Sequence, residues 1–327
     1  MGKRCLLSGI SGMDGSNLAE LLLFKDYEVY GIIRRNSVPE HQESRISHLE
    51  DKITTFYGDL LDSTSIQKIF SLVKPDYIFN TAAQSHVRIS FDIPEFTIKT
   101  NLLGVLNMLN AFKMIVPNSR FLQTSSSEQF GNSIDPDGFE RETTVMHPVS
   151  PYGIAKLAAF NLVQHYRRAY KLFACNSICF NHSGPRRGSN FVENKIVKTA
   201  VRIKLGLQNK LELGNLDSYR DFGDSRDYCD AMYKIINHSE PDDFVIATGF
   251  NHSIRELCEI IFNKLNLNYK DYVIQNEKFF RPEELKYLKG DSSKIRKILR
   301  WEPKISFDQM IQEMIDMWMK YYERNKL

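Results

Sequence analysis

Apolar runs short enough to be buried strands recur through the first half of the chain, at 4–8, 28–33, 53–57, 77–81 and 120–124. Amphipathic stretches of helical period, at 16–25, 63–73 and 95–116, stand between most of them. Strands that alternate with helices build βαβ units, and such units predict a parallel sheet covered on both faces. The rhythm continues through a long helical stretch at 150–170 and a further apolar run at 173–180. Beyond Asn181 it changes: Pro185, Gly188 and two adjacent arginines break the order, and 191–207 then reads as a helix. A short strand pair, 211–213 with 244–248, encloses a helix at 226–237, and the chain closes with helices at 254–265 and 307–322. The pattern therefore predicts an α/β protein in two parts. Residues 1–180 form a doubly wound domain, and residues 181–327 form a smaller mixed α/β domain, with some later segments crossing back.

Length agrees with this division, because 327 residues at about 150 per domain suggest two. The 42% hydrophobic and 25% charged residues exclude a disordered or collagen-like chain. Lysine and arginine number 43 against 40 acids, a net charge of +3, which is too even a balance to predict a nucleic-acid partner. No apolar stretch approaches the roughly 18 residues a membrane helix needs, so no membrane partner is expected. Cys5, Cys175, Cys179, Cys229 and Cys258 are scattered without a CxxC pair, which fits buried free thiols in a reducing cytoplasm. The histidines show no ligand spacing, and no metal site is expected.

Directly after the first apolar run comes GISGMDG, with Gly9, Gly12 and Gly15 three apart. A glycine-rich turn between a strand and a helix lets the backbone approach a pyrophosphate and offers it the free N–H groups of the helix start. The second run leads into Arg34 and Arg35, with no acid beside them. A carboxylate there would hold the ribose hydroxyl of NAD, whereas arginines suit the 2′-phosphate of NADP. Asp59, after the third run, is placed for an adenine amino group or for a helix cap.

In SPYGIAK, Tyr152 and Lys156 lie at i and i+4 on one helical face. An ammonium beside a phenol favours the phenolate, so the pair predicts a tyrosine of lowered pKa that accepts a hydroxyl proton. The preceding apolar run ends in TSSSEQFG. Serines at the carboxyl end of a parallel strand face the ligand crevice, which places Ser126 to hydrogen-bond the hydroxyl being oxidised. Glu128 adds a carboxylate whose use is the removal of a carbon-bound proton.

These segments, with YGDLLDSTS, NTAAQSHV, NHSGPRRGSNFVENKI, LGNLDSYRDFG and FRPEEL, resemble the GDP-mannose 4,6-dehydratase family of the extended short-chain dehydrogenase/reductase superfamily, over nearly the whole chain. The resemblance implies a Rossmann-type sheet and a hydro-lyase that converts GDP-mannose to a 4-keto-6-deoxy sugar, with tightly held NADP+ as internal hydride carrier. It implies that Gly9, Gly12, Asp14 and Gly15 form the cofactor loop, that Arg34 and Arg35 meet the NADP phosphate, and that Asp59 and Leu60 contact adenine. Ala82 and Ala83 would lie beside the cofactor, together with Tyr152 and Lys156. Ser126, Glu128, Tyr152 and Lys156 match the catalytic set, Ser85 a hexose contact, and Asn181, Arg187, Lys195, Arg220, Arg281 and Glu284 the GDP site. A diphosphate needs forked donors, in keeping with those arginines. The segment 36–46 resembles a loop that reaches a neighbouring subunit's cofactor site, which implies a homodimer or homotetramer.

Two departures stand out. Ser126 replaces the family's usual threonine, and Gln129-Phe130 replaces Leu-Tyr. They leave another GDP-sugar, such as a GDP-heptose, open as the substrate. The superfamily's epimerases, reductases and C4 dehydrogenases need the serine, tyrosine and lysine but no carboxylate at the place of Glu128. A non-catalytic NADP-binding sensor would need none of the four.

Overall fold

The computed structural model describes residues 2–35 and 45–325, so the expected intersubunit segment falls almost entirely outside the described residues. Twelve strands are seen there: β1 (Arg4–Ser8), β2 (Glu28–Ile33), β3 (Ile53–Tyr57), β4 (Tyr77–Asn80), β5 (Arg120–Ser126), β6 (Phe173–Cys179), β7 (Asn181–Ser183), β8 (Leu211–Leu213), β9 (Tyr219–Asp224), β10 (Asp243–Ile246), β11 (Asn251–Ser253) and β12 (Val273–Gln275). Seven of them form one sheet in the order β10-β6-β5-β4-β1-β2-β3, with every pairing parallel. Strands β4 and β10 are buried along their whole length, as strands covered on both faces must be.

The principal helices are α1 (Met13–Phe24), α2 (Ser63–Val73), α3 (Gly104–Ile115), α4 (Pro151–Tyr170), α5 (Val192–Lys204), α6 (Ser225–Ile236), α7 (Ile254–Lys264), α8 (Ser293–Leu299) and α9 (Phe307–Arg324). On one face of the sheet, Leu18 and Leu22 of α1 and Met232 and Ile235 of α6 join a core with Leu7, Phe79 and Leu122. On the other, α2, α3 and α4 pack Ile69, Phe112 and Val163 against Leu6, Ile78 and Phe121. The doubly wound α/β fold expected from the alternation is therefore present. A separate apolar cluster joins Ile196 and Val201 of α5 to Leu257 and Ile261 of α7 and Met310 and Met314 of α9.

Two expectations are corrected. The runs 211–213 and 244–248 do not pair: β10, apolar and buried on both faces, adds in parallel to β6, whereas the half-buried β8 pairs with β12. The stretch 95–116 is not one continuous α-helix. Pro94–Ile98 and α3 are α-helical, but one wide turn at Lys99–Leu103 separates them. There Asn101 turns inward, accepting from the Gln84 N–H at 2.8 Å and donating to its carbonyl at 2.9 Å. An inward polar side chain of this kind is accommodated by widening the turn.

A buried polar line crosses the central sheet. Asn80 on β4 donates to Gln123 on β5 at 2.7 Å, and Ser125 donates to Asn176 on β6 at 3.1 Å. Asn176 donates at 2.9 Å to Asp243 on β10, which also holds Arg167 at 2.6 Å. The strand order reverses between β1 and β4, and in open parallel sheets the ligand crevice lies outside the carboxyl ends at that point.

Candidate active site

The turn after β1 places Gly9 at φ +68°, and its carbonyl accepts the Gly12 N–H at 2.8 Å. A Cβ on Gly9 would stand 2.9 Å from the Ala82 backbone, and one on Gly15 only 2.2 Å from the Gly9 carbonyl oxygen. Glycine is thus what allows the loop, the end of β4 and the start of α1 to converge. Gly12 caps α1 without a side chain, leaving the helix's free N–H groups at the cleft, where an anion could be held. The loop opens on a cleft of about 580 Å³ whose walls include Gly9, Gly12, Asp14, Gly15, Arg34, Asp59, Leu60, Ala82 and Ala83. Those residues are brought together on one cleft. Arg35 is exposed and stands outside that lining.

A second cleft of about 870 Å³ continues from the first, sharing Asp14, Thr81, Ala83, Ser85, His86 and Arg187 with it. The end of β5 and the start of α4 supply its floor. Ser126 ends the strand and its Oγ accepts the Glu128 N–H at 3.2 Å, which shapes the short turn Ser127–Gln129. Ser150 caps α4 through the Gly153 N–H at 3.0 Å, with Pro151 at the favoured first position. A Cβ on Gly153 would lie 2.6 Å from the Glu128 carbonyl oxygen, so this glycine lets the helix sit against the turn. Tyr152 is thereby brought beside Ser126, whose hydroxyl favours the ionised phenol. One helical turn on, the Lys156 ammonium lies 5.7 Å from the centre of the Tyr152 ring and donates to the Thr124 carbonyl at 2.7 Å. Ser126, Glu128, Tyr152 and Lys156 are all buried.

The direction at Tyr152 is the reverse of the expectation. Burial raises its pKa, as does the Glu128 charge to a lesser degree, and the Ser126 hydrogen bond and Arg187 charge oppose this without prevailing. Burial also lowers Lys156 to about 8, against the opposing pull of Cys179 and Asp14. The i,i+4 pattern captures neighbours but not the desolvation of both groups.

Asn181, Arg187, Lys195, Arg220, Arg281 and Glu284 line the larger cleft with Ser85 and Glu128. Arg187 donates to Glu193 at 2.7 Å and lies flat on Phe191, 3.7 Å from the ring centre. Lys195 donates to the Glu212 carbonyl at 2.6 Å and stands over Phe279. Burial lowers Arg220 to about 10, with the Arg281 charge acting in the same direction. Two buried oxygens of this cleft, Asn181 Oδ1 and Glu128 Oε2, have no hydrogen-bond partner among the described residues. Gln129 and Phe130 do not line it. Gln129 is turned to Met146, and Phe130 packs on Phe180 in an apolar core.

Sequence reasoning missed several lining residues. His182 accompanies Asn181 in NHSGPRRG, and its Nε2 lies 3.0 Å from Asp14 Oδ2 while Ser225 donates to Asp14 Oδ1 at 2.7 Å. Burial alone would raise Asp14, but the charge and hydrogen bond of His182 outweigh it and hold the carboxyl below its ordinary range. Burial likewise opposes the protonated form of His182, and Asp14 overcomes it. Arg45 donates to the Arg186 carbonyl at 2.8 Å and to the Ser11 carbonyl at 3.3 Å, tying the glycine loop to the segment that carries Arg187. Nothing in the spacing near Arg45 marks it.

Residues 6–314 match the model of the family described as GDP-mannose 4,6 dehydratase. GDP-mannose 4,6 dehydratase 2 of Arabidopsis thaliana is 42% identical over 337 residues, covering 99% of this chain and 89% of that protein. Among solved structures, RMD from Pseudomonas aeruginosa, complexed with NADPH, has a TM-score of 0.80 at 26% identity, with 97% of this chain and 99% of that one covered. The dTDP-glucose 4,6-dehydratase of Bacillus anthracis, in complex with NAD, has a TM-score of 0.85 at 22% identity, with 98% of each chain covered. Sheet order, crevice and these likenesses define a Rossmann-type α/β protein. Within that class the chain belongs to the GDP-mannose 4,6-dehydratase family.

Proposed function

We propose that this protein dehydrates GDP-mannose to GDP-4-keto-6-deoxymannose, with NADP+ as a hydride carrier regenerated in each turnover. The observation that carries the reading is Glu128: a buried carboxylate with an unpartnered oxygen, in the same cleft as Ser126, Tyr152 and Lys156. Oxidation at a sugar hydroxyl needs the last three groups; a carboxylate is needed in addition when water is to leave from the neighbouring carbons.

The glycine cradle and helix start fit a dinucleotide pyrophosphate, and Asp59 and Leu60, on the wall of the same cleft, would meet the adenine. Arg34 on that wall, followed by Arg35, favours the 2′-phosphate of NADP over NAD. When bound, the cofactor supplies the acceptor, and later the donor, of a hydride. Tyr152, held by Ser126, takes the proton of the sugar 4-hydroxyl, and the resulting ketone acidifies the C5 proton. Glu128 removes that proton and delivers it to the departing C6 hydroxyl, directly or through Ser126, so that water leaves; C5 regains a proton when hydride would return to C6, balancing the one taken by Tyr152. Lys156 orients the tyrosine side of the site, and Arg187, Lys195, Arg220 and Arg281 hold the GDP diphosphate.

The cofactor lobe, up to about residue 180, and the remainder, which carries the substrate arginines, would divide the work. We infer a homo-oligomer as well, since Phe96, Leu103 and Ile154 are exposed apolar side chains on neighbouring helical segments. Five free cysteines suit the reducing cytoplasm, and among the described residues no helix is long and apolar enough to cross a membrane.

Purified protein incubated with GDP-mannose, without added reductant, is expected to yield a product one water lighter by mass spectrometry. No water loss, or loss from another GDP-sugar only, would overturn the assignment. Replacing Arg34 and Arg35 by alanine is expected to weaken NADP+ binding at least about ten-fold in a fluorescence titration, with NAD+ binding unchanged.

A further inference from the structure

Arg281 serves two anions. Its Nη1 lies 3.3 Å from Glu128 Oε1, and its Nε lies 4.0 Å from Glu284 Oε1. Glu284 in turn stands 3.7 Å from Nη2 of Arg220. The four side chains make an alternating row, Glu128–Arg281–Glu284–Arg220, along the larger cleft. The row is dry at its ends, where Glu128 is 5% and Arg220 4% exposed. In so poorly screened a place, a charge already matched to one partner is matched less well to another.

The row is balanced in itself, with two cations and two carboxylates. A nucleoside diphosphate adds negative charge and demands the same forked donors. The N–H that Arg281 gives to Glu128 is not available to a phosphate oxygen. Among the described residues no other donor reaches the Glu128 carboxylate, and its Oε2 is buried without a partner. The remaining polar groups near it are Ser126, bonded to its backbone N–H, and the side chains of Tyr152 and Arg220, which feel its charge.

Resting on the reading of this cleft as a nucleotide-sugar site, we propose that Glu128 and the substrate diphosphate compete for Arg281, so that nucleotide binding releases the carboxylate that removes the C5 proton. Arg281 acts here as a positioning residue. Paired with Glu128, Arg281 occupies Oε1 of the carboxylate; drawn to the phosphate, it leaves both carboxylate oxygens open to the sugar. The carboxylate is thereby freed only when the nucleotide is in place.

The competition has a signature in binding that a base acting alone would not produce. GDP, without any sugar, is titrated calorimetrically into the full chain saturated with NADP+, as wild type, Glu128→Gln, Arg281→Met, Arg281→Lys and the Glu128→Gln/Arg281→Met double variant. Thermal melts of each confirm folding. Glu128→Gln is expected to bind GDP about five-fold tighter than wild type or more, the size of coupling found between groups in direct contact. Arg281→Met is expected to bind more weakly, Arg281→Lys to fall between it and wild type, and Glu128→Gln to add no tightening in the Arg281→Met background. Equal affinity of wild type and Glu128→Gln, or tightening that persists without Arg281, would overturn the competition. Failure of wild type to bind GDP would instead overturn the nucleotide-sugar reading itself, and this inference with it.

Discussion

Glu128 and Tyr152 sit within one cleft but have separable tasks. Glu128→Gln preserves shape and hydrogen bonding while removing the base, a loss of roughly 10²–10⁴ in rate for general acid–base catalysis. Water elimination should fall by that order, and NADP+ affinity should stay at the wild-type value. Wild-type elimination in that variant would remove Glu128 from the chemistry. Tyr152→Phe should stop the reaction earlier, so that no reduced cofactor appears in a single-turnover absorbance trace; its appearance would exclude Tyr152 as the first base. Lys156 makes a prediction about pH. Its value of about 8 in the folded chain compares with about 10.4 when unfolded. Between these values the unfolded chain holds more protons at this position, so the contribution of Lys156 to stability rises with pH from about 8 to 10, by on the order of 3 kcal/mol. Below pH 8 the cost of the buried ammonium is present in full. The buried thiols lower stability across the same window in both proteins, so the test is the difference: the urea midpoint of wild type relative to Lys156→Met should rise from pH 8 to 10, and a difference constant with pH would contradict the shift. Residues of this kind were readable where chemistry is local, as in the Tyr152–Lys156 spacing or the serines ending β5. Asp14 and His182 are 168 positions apart, and Arg281 and Glu128 are 153 apart. No periodicity carries such distances, which only the folded backbone sets.

Elements were readable in proportion to how much of their stability is local. The stretch 63–73 coincides with α2, whose Asp62 cap bonds the N–H groups of Thr64 and Ser65. The stretch 95–116 fails at Asn101, because the partner that draws its side chain inward, Gln84, lies on a different segment. The pairing of 211–213 with 244–248 fails for the same reason: a strand's partner is chosen by burial on both faces, and β12 is too short to announce itself. Helix α4 carries the sharpest element-scale test. Gly153→Ala forces a methyl to within 2.6 Å of the Glu128 carbonyl oxygen, and either the helix start or the Glu128 turn must move. Overpacking of this sort costs about 1–3 kcal/mol. The melting temperature should drop, and kcat should fall more than KM rises, because the displaced groups are Tyr152 and Glu128, whereas Arg187 and Lys195 are held by partners on other segments. A variant with wild-type kcat would show that their mutual placement is not critical.

At the scale of the whole molecule, later segments complete the first apolar core. Tyr228, Met232, Ile235, Phe244, Ile246 and Trp301 belong to the same cluster as Leu7, Leu18 and Phe79. A fragment of residues 1–180 lacks all six, together with strand β10. It is expected to bind a hydrophobic dye such as ANS and to melt without a cooperative transition; a sharp, dye-free transition would show that the first half folds alone. The buried polar line across the sheet has a consequence for the order of events during synthesis. Until β10 emerges, β6 is an open edge, with the side chain of Asn176 waiting for Asp243. Open edges invite pairing with other chains, but a strand that docks there must bring a carboxylate to the one register where Asn176 and Arg167 both meet it. The last strand of that sheet is thereby proofread as it arrives, and a foreign apolar strand leaves the buried Asn176 and the half-buried Arg167 without their carboxylate.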